Sequence, residues 1–130
     1  MEYRYIGWRS VASGVDKICE WLQDTVDERY SVYGVPRGGL VPAVMISHKL
    51  NLPMISQLTK KSKRVIVVDE VVDSGKTIKG ILERRNKTHP EMLTIVVALH
   101  KKPWAEVRVD FYAWETEDWI VYPWEMREDK

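Results

Sequence analysis

The stretch from Arg64 to Thr77, RVIVVDEVVDSGKT, concentrates the groups most able to do chemistry. An apolar run, Val65 to Val68, is followed at once by two acids, Asp69 and Glu70, and then by Asp73, Ser74, Gly75, Lys76 and Thr77. Adjacent residues at a strand end point in different directions, so two acids there address different atoms of one ligand. Carboxylates accept hydrogen bonds from a pair of hydroxyls and attract hard divalent ions such as Mg2+. Both roles suit a sugar. The DSGKT turn opens a helical pattern, and a helix start offers free N–H groups and partial positive charge to a phosphate. Gly75 lets the backbone come close to an anion, while Ser74 and Thr77 add hydroxyls. By itself SGKT serves equally well as a helix cap, with Asp69 and Glu70 as surface charges. It is not the loop of a nucleoside triphosphatase, because Glu70 stands where the first glycine of G-x-x-x-x-G-K-[ST] belongs. An acid pair beside a monophosphate cradle describes a ribose 5-phosphate.

Two other segments carry chemistry. YGVPRGGLVPA (Tyr33 to Ala43) ends an apolar run in a tight turn, with Arg37 as a forked donor and the Gly38 and Gly39 amides free to face an anion. Arg-Gly-Gly turns also occur for purely structural reasons. The chain holds six tryptophans, and Trp104, Trp114, Trp119 and Trp124 fall near its end. An exposed aromatic beside a ligand stacks on a base, a contact of about 1–3 kcal/mol in nucleic-acid systems. Core packing is the competing role, and for Trp114 and Trp124 the core or a subunit interface is expected. His48, His89 and His100 show no spacing suited to a metal or a triad and are expected to be structural or exposed. Cys19 lies near an apolar helical stripe and is expected to be an inert core thiol.

These segments need a frame. Val11, Val15, Ile18, Leu22 and Val26 recur at helical spacing, with Ser10 as N-cap. Residues 30–35 suit a buried strand, 40–50 a second helix, and PMISQL a short strand. RVIVVDE and MLTIVVAL are continuous apolar runs of the kind found in parallel strands covered on both faces. A third helix is predicted over 77–85 and a last strand over VRVDFYAW. This alternation predicts an α/β fold with a mostly parallel central sheet flanked by helices. The lysine-rich TKKSKR is expected to be a solvated loop, and the final REDK to fray.

Length and composition set limits. The 130 residues suit a single domain spanning 1–130. A formal charge of +1 supplies no global field for nucleic acid or an anionic membrane, so neither is an expected partner. No apolar run approaches the roughly 18 residues of a membrane span. One cysteine and a start without a signal-peptide pattern fit a cytoplasmic protein.

VIVVDEVVDSGKT resembles the phosphoribosyl-pyrophosphate (PRPP) binding motif of the type I phosphoribosyltransferases, and SRGGLVPG-like segments occur in the purine enzymes of that family where VPRGGLVPA stands here. HKKPW and DWIVYPWE resemble the base-binding segments of its bacterial 6-oxopurine members. The resemblance implies the type I phosphoribosyltransferase fold with a short C-terminal purine-binding hood. It implies transfer of a phosphoribosyl group from PRPP to xanthine, guanine or hypoxanthine, with Mg2+ as cofactor. By it, Asp69 and Glu70 hold the ribose hydroxyls and the metal, and residues 74–77 hold the 5-phosphate. Asp73 sits near purine N7 as acceptor or general base. Arg37, Gly38 and Gly39 take pyrophosphate. Lys102 donates to the 6-oxo group, Trp119 stacks on the base and the Ile120 backbone reads its edge. A homodimer or homotetramer is implied as well. Two departures stand out: Glu70 replaces the usual Asp, and only LTKKSK remains of a long mobile loop that closes over the site. That trimmed loop leaves a second function open, a non-catalytic sensor of PRPP or nucleotide. Lys60, Lys61 or Lys63 on it are candidates to touch pyrophosphate.

Overall fold

A computed structural model describes residues 2–59 and 61–125, so Lys60 and the REDK end lie outside the described residues. In chain order the elements are β1 (Tyr3–Tyr5), α1 (Trp8–Leu22), β2 (Ser31–Gly34), α2 (Leu40–Leu50), β3 (Met54–Ile55), β4 (Arg64–Val72), α3 (Lys76–Thr88), β5 (Leu93–Lys101), β6 (Phe111–Glu115) and β7 (Trp119–Val121), followed by a short 3-10 turn at Pro123–Glu125. Five strands form one sheet in the order β3–β2–β4–β5–β6, every neighbouring pair parallel. The apolar runs at its centre, Val65–Val68 and Val96–Leu99, are buried from end to end because both faces are covered. On one face α1 and α2 present Val11, Val15, Ile18, Leu22, Ala43 and Ile46 to Val32, Ile66, Val68, Val97 and Leu99. On the other, Ile78 and Ile81 of α3 meet Val65, Val67, Val96 and Ala98. None of the described helices is long and apolar enough to cross a membrane.

Several boundaries differ from those the sequence predicts. Helix α1 starts at Trp8, and Gly7, not Ser10, is its N-cap, with no side-chain hydrogen bond there. The PMISQL strand shrinks to Met54–Ile55. The chain must return from the top of β3 to the foot of β4 within a short connector, and a longer β3 would lengthen that path. β6 begins only at Phe111, because Val107 and Val109 pack against the α3-side core from a loop. β1 and β7 are unforeseen. They pair in parallel as a separate two-stranded ribbon, Tyr3 opposite Trp119 and Tyr5 opposite Val121.

The tryptophans divide between core and surface. Trp114 lies against Gly14 of α1, where an added Cβ would come within 2.8 Å of its ring. Trp124 stacks on Tyr122 with centroids 4.9 Å apart. Cys19 is buried, and that burial pushes its thiol up to about 11, as expected of an inert core group.

Candidate active site

The site begins with a step in the sheet. β2 pairs with β4 only as far as Gly34 opposite Val68. β4 then runs on to Val72 beside β5 alone. Asp69 and Glu70 therefore lie within a strand, not just past its end as the apolar run suggested, yet they overhang the turn that follows β2. That places them at the carboxyl edge of a parallel sheet, where such folds bind ligands. Asp69 is 8% exposed, and its Oδ1 accepts a hydrogen bond from the Glu70 amide at 2.9 Å. Burial holds its carboxyl well above the usual carboxylate range; a hydrogen bond with the Glu70 side chain and the charge of Glu70 add to the effect. A cation delivered to this pair would relieve that penalty.

The turn after β2 packs against these acids. Val35 donates to the Val68 carbonyl at 2.9 Å, tying the turn to β4. The Pro36–Arg37 peptide is cis, and Arg37 is exposed. The two glycines do different things. A Cβ on Gly38 would fall 1.5 Å from Glu70 Oε2, so this glycine makes room for the acid. The Gly39 amide, expected to face an anion, donates to the Val35 carbonyl at 2.9 Å within the turn. Any Cβ on Gly39 would meet the Val35 and Val68 carbonyl oxygens at 2.6 Å. The turn needs both glycines for close approach, and only one amide is left to offer.

Beyond β4, residues 73–77 form the second loop. Gly75 is the N-cap of α3 in the left-handed region (φ 92°), and its α-carbon faces Val107, which a Cβ would approach to 2.6 Å. No side chain caps this helix. Its first full-turn bond runs from Lys79 to Gly75 at 2.8 Å, so the amides from Gly75 to Ile78 lie at the positive helix end. The Lys76 amide leans on Ser74 Oγ at 3.3 Å. Asp73, Ser74, Lys76 and Thr77 are exposed. Asp73 Oδ1 accepts a hydrogen bond from Trp104 Nε1 at 2.7 Å.

The third wall comes from the other side of the chain. Trp119 is 48% exposed, with its ring 6.2 Å from that of Tyr3, while Ile120 is buried. The Trp119 amide and the Val121 carbonyl bond to the β1 segment, at 2.8 and 3.1 Å. Alternation along a parallel ladder turns the Ile120 N–H and C=O the opposite way, free of β1. Lys102 is 3% exposed; its Nζ bonds the carbonyl of Asp118 and reaches that of Glu117 at 3.4 Å, and it lies 5.6 Å from the Trp104 ring centroid. Buried Tyr122 joins the walls: its hydroxyl donates to the Glu70 carbonyl at 2.8 Å. Since that proton is engaged, His100 Nδ1 at 2.9 Å must donate to the tyrosine oxygen. Burial, then the charges of Lys102 and Arg4, hold His100 down to about 4, so it is neutral.

The structure thus brings Arg37, Gly38, Asp69, Glu70 and the 73–77 loop to one carboxyl edge, with Lys102, Trp119 and Ile120 on the segments bordering it. His100 is structural, as expected, while the places of Tyr3, Trp104 and Tyr122 beside these residues were not foreseen. Trp104 stood in the quoted HKKPW, and an exposed tryptophan next to a buried lysine was its only signal. Among the described residues no three His, Cys, Asp or Glu side chains form a metal cluster.

A parallel sheet with an acid-bearing strand edge between two glycine-dependent loops defines a type I phosphoribosyltransferase. Residues 56–130 match the phosphoribosyl transferase domain, over half of the chain, and the chain belongs to that family. It is 27% identical over 148 residues to xanthine-guanine phosphoribosyltransferase of Cereibacter sphaeroides, across 95% of this chain and 80% of the relative. The purine phosphoribosyltransferase of Pyrococcus horikoshii superposes with TM-score 0.84 at 33% identity, covering 100% of this chain and 99% of that one. Xanthine-guanine-hypoxanthine phosphoribosyltransferase of Helicobacter pylori shares the fold at TM-score 0.84 and 20% identity, covering 95% and 92%.

Proposed function

We propose that this chain transfers the 5-phosphoribosyl group of PRPP to N9 of a 6-oxopurine (xanthine, guanine or hypoxanthine), giving the nucleoside 5′-monophosphate and pyrophosphate. The observation that carries this reading is the overhang of Asp69 and Glu70 between the Arg37 turn and the uncapped start of α3. The names of the purine-specific relatives support it.

The ribose hydroxyls bind Asp69 and Glu70, and the 5-phosphate caps α3 through the Gly75–Ile78 amides and the Ser74 and Thr77 hydroxyls. Pyrophosphate leaves beside Arg37 and Gly38. As C1 becomes cationic, the acid pair steadies it. Asp73 accepts a hydrogen bond or proton at purine N7. Lys102, released from the Asp118 carbonyl, donates to the 6-oxo group, a contact adenine's amino group cannot accept. Trp119 stacks on the ring, and the Ile120 backbone reads its edge. Two adjacent carboxylates suit Mg2+, which commonly shares its coordination with substrate phosphates. When bound, Mg2+ would rest on Asp69 and Glu70 and neutralise charge on the leaving group. Leu40 and Val44, exposed one turn apart on α2, offer an apolar strip for self-association.

The test is absorbance assay of each base separately with PRPP and Mg2+. Nucleotide from at least one 6-oxopurine is expected; none from any would overturn the proposal. The short 56–63 connector favours the second reading, a PRPP or nucleotide sensor. That protein would be thermally stabilised by ligand and yield no product.

A further inference from the structure

Phosphoribosyl transfer has a built-in competitor. Once the C1–pyrophosphate bond loosens, water can attack C1 as readily as a purine nitrogen, so the reacting centre must be covered. The described residues of the connector from β3 to β4 line cavities elsewhere. Ser56, Gln57 and Leu58 border a cavity with Arg84, Arg85 and His89 at the far end of α3. Thr59, Lys61, Ser62 and Lys63 line a larger cleft of about 800 Å³ with Arg29, Ser31 and Arg64, at the feet of β2 and β4. Neither cavity is lined by Asp73 or by any other residue of the 69–77 segment.

The segment after β5 is placed differently. Glu106 donates to the Ser74 carbonyl at 3.0 Å, Ala105 to the Lys102 carbonyl at 3.2 Å, and Val107 rests on Gly75. This lacing fixes residues 102–107 over the 73–75 turn. From it projects Trp104, 46% exposed, a position that core packing does not explain. Its indole N–H is bonded to Asp73 Oδ1 at 2.7 Å, and the Lys102 ammonium approaches its ring. One large apolar ring therefore lies between the acid assigned to N7 and the lysine assigned to the 6-oxo group.

We propose that Trp104 is a fixed cover for the reacting centre and a positioning residue for Asp73. The inference rests on the transfer reaction proposed above. The ring keeps water from C1, and the N–H holds one carboxylate oxygen so that the other faces the purine. Without the cover, the C1–O bond to pyrophosphate still breaks, but a water oxygen bonds C1 and its proton passes to Asp73 or solvent. PRPP and water then give ribose 5-phosphate and pyrophosphate.

The experiment measures pyrophosphate, nucleotide and ribose 5-phosphate in one reaction with Mg2+, PRPP and saturating base. For the natural chain, pyrophosphate and nucleotide should appear in equal amounts. Trp104→Ala should raise the pyrophosphate-to-nucleotide ratio several-fold, the excess matched by ribose 5-phosphate. Trp104→Phe keeps a ring and loses the N–H; its ratio should stay near that of the natural chain while turnover drops. If Trp104→Ala melts early, Trp104→Leu replaces it. An unchanged ratio in the folded Ala or Leu variant overturns the cover, whatever happens to the rate. If the natural chain forms no nucleotide at all, the transfer reading itself has failed and this inference falls with it.

Discussion

The two sides of the site are built in contrasting ways. The side assigned above to the phosphoribosyl group consists of two short loops and the strand edge between them, and what it offers an anion is largely backbone. Glycines create it: Gly38 admits Glu70, and Gly75 turns the chain into α3. The side assigned to the base is assembled from β1, β7 and the end of β5, and it offers mainly the Trp119 and Lys102 side chains, with the Ile120 backbone beside them. A phosphate wants fixed dipoles close by, which a continuous segment supplies. A flat base wants broad surfaces on separate walls, and these only the tertiary fold can gather. Tyr122 bridges the two through the Glu70 carbonyl.

Substitutions can break or sharpen this contrast. The largest effect is expected at Asp73, which stands between the sides: Asp73→Asn should cut turnover by roughly 10²- to 10⁴-fold, with PRPP binding by calorimetry nearly unchanged. Gly38→Ala drives the Glu70 carboxylate from its place and should raise the KM for PRPP by about 10- to 100-fold, the scale of a lost charge-assisted contact. The KM for the base should move little. Trp119→Ala is its mirror image, raising the KM for the base by about 10-fold and sparing PRPP. Equal effects on both substrates from either variant would dissolve the distinction.

The bridge gives subtler effects. Tyr122→Phe keeps the stack on Trp124 but strands the His100 N–H and the Glu70 carbonyl, at about 1–3 kcal/mol. Denaturant unfolding should report that loss, and both KM values should rise a few-fold together. Acid should act through the same bridge. His100 is held down to about 4 in the fold from an ordinary 6.5, so the unfolded chain takes up its proton first. Its contribution is whole above pH 6.5 and fades as pH falls toward 4, by about 3 kcal/mol at most. The difference between the natural chain and His100→Gln in urea titrations across that range isolates it.

How far the sequence disclosed the molecule follows the same division. The VIVVDEVVDSGKT run carries strand, acids, turn and helix start contiguously, so its local order already implies their arrangement. The alternation of buried strands and amphipathic helices likewise predicted the parallel sheet. What failed depends on distance along the chain. The Trp104–Asp73 bond joins residues 31 apart, and the Tyr122–Glu70 bond residues 52 apart; no periodicity signals either. Tyr-Arg-Tyr and Trp-Ile-Val are each too short to show a strand pattern until they pair. The bond of the Gly39 amide to Val35 was not legible either, because a glycine required for close backbone packing looks the same in sequence as one that offers its amide to a ligand.

The β1–β7 ribbon also sets an order of assembly. Its two strands, Tyr3–Tyr5 and Trp119–Val121, are far apart in sequence, so β1 cannot pair until the chain as far as Val121 has emerged from the ribosome. The loops around β4 and α3 are synthesised well before that. On the function proposed above, a nascent chain forms the loops assigned to the sugar phosphate before β1 and β7 can pair to complete the wall assigned to the base.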